Sequence, residues 1–436
     1  MKGRQICLYL IQNECYDDLK QHYTIELISI GKDSNIPTKG VSFVFFLKRK
    51  IQLYEIVFSL QLDFNLYKIP KPMNFLSRRN ALKSLALGSS LALMNPYHLL
   101  ASEKKRKLGV ALVGLGYYST DLLAPALQQT EHCYLAGIVT GTPSKAVAWK
   151  EKYLIPEKNI YNYQNFDSIA ENPDIDVVYV VLPPSMHEEY VVRASNAGKH
   201  VWCEKPMAVT SKECQNMINS CKKNNVQLTI GYRLHHEPNT QEYRSIIKEE
   251  KLGKVKYVNC EAGYRENRTD HWKQKKEMGG GVIYDMGVYA IQGARLGTNM
   301  EPIAVHSAKA ISTRPQIYKN GLADEVTAKL EFPGGVFADI RTTFAEGTNY
   351  MKVECEKGDI DLKPYSSYGG AKGESPLGKI NHSYEVPWQQ TKQMDDDALA
   401  IIENKAPMVP GEEGLRDIKI VEAILKSAEK GKRVKL

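Results

Sequence analysis

Hydrophobic positions change their period once along the body of this chain. From Leu108 the run LGVALVG is apolar without alternation, as in a strand buried on both faces. It ends in a glycine turn and a helical stretch to about Gln129. Tyr134–Thr140 then reads as strand, Ser144–Tyr153 as helix, and Ile175–Leu182 as a strand stopped by Pro183-Pro184. Glu188–Ala197 reads as helix, His200–Glu204 as strand, Ser211–Asn224 as helix and Val226–Gly231 as strand. Strands alternating with helices at this short spacing predict an α/β domain, a parallel doubly wound sheet, over residues 106–231. From about Tyr232 the pattern becomes period-2. After one helix, Pro238–Lys251, the segments Val255–Tyr264, Ile303–Ser312, Glu325–Phe332, Gly335–Phe344 and Met351–Leu362 alternate apolar and polar. They predict mainly antiparallel strands with one covered face, and helices Asp396–Glu403 and Gly411–Lys430 close the chain. Residues 232–436 are therefore expected to form an α+β domain, with no internal repeat and no low-complexity linker.

The stretch before Leu108 follows different rules. Residues 1–72 contain no alanine and are rich in Ile, Lys, Tyr, Leu and Phe. They hold a candidate strand pair near Val41–Phe46 and Ile51–Leu62, yet the expectation is an upstream extension translated in error, with the true start at Met73. Residues 73–101 have a charged start, an apolar middle and small residues near Ala101, the plan of a signal peptide. Ser77-Arg78-Arg79-Asn80-Ala81-Leu82-Lys83 resembles a twin-arginine export signal, with Ala81 where Phe is usual. Gly88, Asn95 and Pro96 interrupt the apolar run, which is too short for a comfortable membrane span. Export to the periplasm or beyond by that route is the expectation.

With 436 residues, 43% hydrophobic and 25% charged, the chain has the composition of a soluble globular protein of two or three domains. The net charge of +8 suggests a polyanion partner until it is divided. Residues 1–72 carry +3, residues 73–107 carry +6 and residues 108–436 carry −1. The body gives no charge argument for nucleic acid. Eight cysteines without a C-x-x-C pair or a His cluster argue against a disulfide framework and against a metal site.

Candidate chemistry begins at Gly114-Leu115-Gly116-Tyr117-Tyr118-Ser119, between the first strand and its helix. Gly114 permits a tight turn, Gly116 lets backbone approach a pyrophosphate, and the helix N-terminus offers free N–H groups. Ser119 stands where the third glycine of G-x-G-x-x-G is usual. The second strand ends in Val139-Thr140-Gly141-Thr142-Pro143-Ser144-Lys145, without the carboxylate that holds the 2′-hydroxyl of NAD. A hydroxyl and a cation there favour the 2′-phosphate of NADP, with NAD as the lesser expectation and a merely solvated Lys145 as the alternative. Strand four runs into Glu204-Lys205-Pro206, which brings a lysine to the ligand-binding edge of the sheet, as a site residue or a rim ion-pair partner. Gly279-Gly280-Gly281 precede a helix bearing Asp285 and Tyr289, four apart and so on one side. An acid and a phenol facing a lysine are equipped to move a proton from a sugar hydroxyl, unless Tyr289 is core and Asp285 a cap.

Gly114–Ser119, Glu204-Lys205-Pro206, Gly231-Tyr232-Arg233 and Gly279–Tyr289 occur in an order that resembles the Gfo/Idh/MocA oxidoreductase family, nearest its glucose–fructose oxidoreductase branch. Supporting stretches are Lys199–Met207, His271-Trp272-Lys273 and Pro410–Gly414. The resemblance covers about Arg106 to Leu436 and implies a Rossmann domain, an open-faced β-sheet domain, and NADP between them. It implies Lys205 beside the nicotinamide and holding a substrate hydroxyl, Tyr289 as acid/base and Asp285 as its partner. It also implies a cis Lys205–Pro206 bond, Thr140 and Lys145 on the 2′-phosphate, and Leu182, Pro183 and His187 on the nicotinamide side. Pro184 stands where Asn is frequent. Glu204 belongs to the same cofactor-side set, and Arg233 and Trp272 would line the sugar and nicotinamide. The branch carries a proline-rich arm before its first strand, which this chain replaces with a short basic run. The implied function is an NADP-dependent sugar or polyol oxidoreductase, working as a homo-oligomer. The alternatives are a nicotinamide-using glycosidase of the same fold and a non-catalytic sugar or nucleotide sensor.

Overall fold

In the computed structural model of the chain, residues 106–436 are described throughout, and of the earlier residues only the backbone of three strands. These are β1 (Thr24–Leu27), β2 (Ser42–Arg49) and β3 (Gln52–Ser59), an antiparallel sheet in that order. β2 and β3 pair where a strand pair was the second reading of residues 1–72. The leader expected at 73–101 lies outside the described residues.

The larger unit, residues 101–436, carries two sheets. The first contains β4 (Leu108–Val113), β5 (Cys133–Val139), β6 (Ile160–Tyr161), β7 (Val177–Val180), β8 (His200–Cys203) and β9 (Leu228–Ile230). All neighbours are parallel, in the order β6-β5-β4-β7-β8-β9. The order reverses between β4 and β7, which opens a crevice at their carboxyl ends. β4 and β7 are buried along their whole length, the reason their sequences do not alternate. Helices α1 (Ala124–Leu127, entered through a π-helical turn Ser119–Leu123), α2 (Pro143–Tyr153), α3 (His187–Asn196) and α4 (Ser211–Lys223) form the crossovers. Thr210 and Glu213 close a capping box at the start of α4.

The second sheet has nine strands. They are β10 (Val255–Gly263), β11 (Ala304–Ile311), β12 (Glu325–Glu331), β13 (Phe337–Thr343), β14 (Thr348–Cys355), β15 (Gly358–Leu362), β16 (Gly373–Ser375), β17 (Gly378–Ile380) and β18 (Val434–Lys435). Their order is β17-β16-β15-β14-β10-β13-β12-β11-β18, antiparallel except for β10 with β13. One face is apolar: Val258, Cys260, Ala262, Ala328, Leu330, Ile340, Met351 and Val353 are buried. Helices α5 (Pro238–Lys248), α6 (Val288–Thr298, entered through a π-helical turn Ile283–Gly287) and α8 (Gly411–Lys430) lie on this side of the molecule. Gly293 lets α6 lie flat, since a Cβ there would come within 2.4 Å of Cys260 Sγ. The other face is polar and ion-paired, through Arg341 with Glu325, Glu261 and Glu346, and Lys329 with Asp339.

Two differences from the sequence pattern have physical causes. The run Met351–Leu362 is two strands, β14 and β15, because the chain turns at Glu356-Lys357. The helix expected from Asp396 begins eight residues earlier, as α7 (Trp388–Ile402). Its first turns are polar in sequence, yet Gln389, Gln390 and Gln393 are buried. Met394 and Ala398 of the same helix join Leu112, Tyr179 and Trp202 in the core of the parallel sheet. A helix from the second half of the sequence thus covers one face of the first domain.

Candidate active site

The loop after β4 forms as its glycines require. Gly114 has φ of +89°, and a Cβ there would meet Val181 O at 2.4 Å. Gly116 has no atom within 4 Å of where a Cβ would stand, so the backbone is open on that side. Ser119 is buried, and its hydroxyl donates to Gly114 O at 2.6 Å, closing the turn that a third glycine would otherwise shape. Tyr117 is exposed, and Tyr118 reaches inward to accept from Gln390 Nε2 at 3.3 Å. A groove of about 420 Å³ lies beside this loop, lined by Leu115, Gly116, Thr120, Ser144, Lys145 and Trp149 among others. Lys145 Nζ donates to Leu115 O at 2.8 Å, which brings its ammonium to the loop. Thr140 is buried at the end of β5 and accepts from Thr142 N at 3.2 Å. Among the described residues, α2 has no acid in its first turn.

On the other side of the crevice, Leu182 and Pro183 follow β7, with Leu182 Cδ2 within 2.8 Å of a Cβ built on Gly114. His187 does not face the crevice. It is fully buried, with Nδ1 against Pro206 O (3.0 Å) and Met207 O (3.2 Å) and Nε2 against Leu182 O (2.8 Å). No ring nitrogen is left for a ligand, so His187 ties the Leu182 loop to the segment after Lys205. Burial pushes its pKa below the usual histidine value, with the carbonyl contacts opposing.

Lys205 follows β8, and its bond to Pro206 is cis. Lys205 Nζ donates to Asp285 O at 3.0 Å, lies 3.3 Å from Asp285 Oδ1, and sits 4.7 Å from the centre of the Tyr289 ring. The amine and the phenol come from opposite halves of the sequence and meet, and Lys205 joins Asp285 to Tyr289 by touching both. Burial works against the Lys205 ammonium, but Tyr289, Asp285 and Glu204 together hold its pKa above the usual lysine value. Burial likewise works against ionised Asp285, and Lys273 and Lys205 overcome it, holding the carboxyl well below the usual range. Glu204 is buried with neither lysine ammonium on its carboxylate. Burial raises it to about 7, although Tyr179 donates to it at 2.6 Å.

The triple glycine has a plain reason. A Cβ on Gly280 would stand 2.6 Å from Lys275 O and 2.8 Å from the carbonyls of Lys273 and Trp272, so the His271–Lys275 turn can pass only over glycine. Gly279 has φ of +74° and lies against Pro184 and Val209. Trp272 is half-buried in that turn, on the Asp285 side of the crevice. Arg233 is only 3% exposed and does not line the crevice. It donates to Ser366 O at 2.6 Å and to Gln389, and lies under the rings of Tyr289 (5.3 Å) and Tyr368 (4.4 Å).

Several contributors were not anticipated from sequence. Lys273 pairs with Asp285 and Tyr264, and Tyr368 bridges Tyr118 and Arg233 with ring centres 6.3 Å from Tyr118. Gln389, Gln390 and Gln393 of α7 contact Arg233, Tyr118 and Tyr179 in turn. Spacing 389, 390, 393 is a single helix face, the one signal present once the helix is extended. Among the described residues there is no group of three or more His, Cys, Asp or Glu able to hold a metal ion, and no helix long and apolar enough to cross a membrane.

Comparison with known proteins agrees with this geometry. The family described as "Oxidoreductase family, NAD-binding Rossmann fold" matches residues 108–232, and the "GFO/IDH/MocA C-terminal domain" matches residues 240–361. The crystal structure of aldose-aldose oxidoreductase from Caulobacter crescentus, complexed with glycerol, is 36% identical. The match covers 76% of this chain and 100% of that one, with a TM-score of 0.72. An NADP(+) D-xylose 1-dehydrogenase of Haloarcula marismortui is 25% identical over 336 residues, 75% of this chain and 92% of that protein. A second D-xylose 1-dehydrogenase (NADP(+)), from Haloferax volcanii, is 26% identical over 338 residues, 76% of this chain and 98% of that protein.

Proposed function

The chain belongs to the Gfo/Idh/MocA oxidoreductase family, and from that premise we propose that it is an NADP-dependent oxidoreductase of cyclic sugars or polyols. The observation that carries this reading is the meeting of Lys205, Asp285 and Tyr289 at the edge of a nucleotide-type crevice. The crevice fits a dinucleotide: Gly116 leaves its backbone side open, and the groove beside it is of ligand size. Thr140 and Lys145, with no acid in the first turn of α2, suit a 2′-phosphate. When bound, the nicotinamide supplies the hydride acceptor.

The chain's own residues do the rest. Lys205 directs an N–H at the substrate hydroxyl and orients its carbon. Tyr289 takes the hydroxyl proton as hydride leaves that carbon, and the adjacent ammonium stabilises the phenolate that results. Asp285 holds Lys205 in place through both its main-chain and side-chain oxygens. Alignment of this kind accounts for several kcal/mol, of the ~7–11 kcal/mol that a fully ordered site can supply. Arg233 supports the phenol from beneath, and His187 fixes the two loops that frame the ring-binding side.

Two modes of turnover remain distinct in experiment. The name of the aldose-aldose oxidoreductase fits transfer between two aldoses, for which a retained cofactor suffices, and that of the xylose dehydrogenase fits net oxidation of one sugar, which needs the cofactor to exchange. Assaying the purified chain with NADP(+) and NAD(+) against a panel of aldoses and polyols tests the reading. Oxidation of at least one sugar with preference for NADP(+) is expected, and no turnover with any of them overturns it. Nucleotide absorbance surviving desalting selects the retained mode. We further propose that residues 73–101 export the protein and that it works as a homo-oligomer. N-terminal sequencing of the periplasmic fraction and light scattering test these two points.

A further inference from the structure

Lys273 lies in the short turn Trp272–Gln274 that the triple glycine allows to pass. Its ammonium pairs with Asp285 Oδ2 and donates to Tyr264 Oη. The rings of Tyr264 (5.0 Å), Trp272 (5.5 Å) and Phe344 (5.9 Å) surround it. One carboxylate is thus shared between two ammonium groups, Lys205 on Oδ1 and Lys273 on Oδ2, and both lysine side chains are only 14% exposed. The difference in geometry is informative. The Lys273 pair is the closer, while Lys205 stays at 3.3 Å and takes the main-chain oxygen at 3.0 Å.

We propose that Lys273 is a positioning residue that claims most of the Asp285 charge, so that Lys205 is held in place without being captured and keeps one N–H for the substrate hydroxyl. An ammonium has three donors, and among the described residues Lys205 uses two, both on Asp285. Without Lys273 the full carboxylate charge would face Lys205 alone in a buried setting, and a closer pair would compete with substrate for the remaining donor. The groups that face Asp285 are Lys205 from the loop after β8, and Lys273 and His271 from the turn before the glycines. Tyr264, with Glu266 behind it, faces Asp285 from the end of β10, and Tyr289 of α6 lies against Lys205. Among these the two lysines are the near cations.

This inference rests on the sugar oxidoreductase reading, and its test separates the two. Full-length wild type, Lys273→Met and Lys273→Arg are assayed with NADP(+) against D-xylose and D-glucose across pH, alongside NADP(+) titration. For Lys273→Met, kcat should fall by about 10²-fold, the cost of misplacing a reacting group. The acid limb of its rate profile should move to higher pH because Asp285 has lost a cation, and NADP(+) affinity should stay unchanged. Lys273→Arg should recover most of the rate. Wild-type kcat and pH profile in Lys273→Met overturns the inference, as does a loss that Arg does not rescue and that is matched by lost NADP(+) binding. A wild type inert toward every sugar would instead overturn the function reading beneath it.

Discussion

Lys145 is the side chain proposed to discriminate between the two nucleotides. Its ammonium rests on Leu115 O beside the open side of Gly116, and no carboxylate stands in the first turn of α2. Replacing it by glutamate puts a negative charge where a phosphate is expected. kcat/KM for NADP(+) should fall by about 10- to 100-fold, the worth of one charge-assisted hydrogen bond, while NAD(+) changes little. Equal effects on both nucleotides would remove Lys145 from 2′-phosphate recognition. Lys205, Asp285 and Tyr289 were legible in sequence because each follows a strand end or a glycine run, where chemistry gathers in this architecture. Lys273, Tyr264 and Tyr368 were not, because they sit on short turns or at the end of a strand whose sequence has no signature for a partner. The family resemblance places His187 on the nicotinamide side, whereas its side chain is buried against three carbonyls and ties two loops together.

At the scale of elements, the site is held by segments from both halves of the sequence. The Gly279–Gly281 run is closely hemmed in, since the carbonyls of Trp272, Lys273 and Lys275 all lie within 2.8 Å of a Cβ on Gly280. Gly280→Ala must push that turn away, and Lys273 with it. kcat should drop by at least about tenfold with NADP(+) affinity kept, and a crystal structure or an unchanged kcat in the variant checks this. The strands and crossover helices were readable from period alone. α7 was read short because its first turns are glutamine-rich, and polarity usually marks surface. Here each glutamine is buried against a polar partner, which periodicity of apolar residues cannot reveal.

At the scale of the whole molecule, burial of acids sets a pH dependence. Asp397 is 1% exposed on α7, and burial raises it to about 7 against the opposing influence of His236 and Gln393. Glu204 is raised to the same value by burial. Both acids hold protons in the folded state that the unfolded chain has already released. Stability therefore declines as pH rises from the ordinary carboxyl range to about 7, by a few kcal/mol per group in order of magnitude, and then levels. Asp397→Asn cannot ionise, so its melting temperature relative to wild type should rise between pH 5.5 and pH 8. A difference independent of pH would show that Asp397 is not protonated in the fold. The six described cysteines are buried and unpaired, and burial pushes Cys133, Cys221 and Cys260 to about 12, leaving them unreactive while folded.

A single-turnover experiment with NADP(+) and an oxidisable aldose puts the amine and the phenol to the most direct trial, in wild type, Lys205→Ala and Tyr289→Phe. Rapid nicotinamide reduction is expected in wild type, slowed by at least about 10²-fold in each variant, with NADP(+) still bound by all three. Reduction at the wild-type rate in both variants would contradict the account.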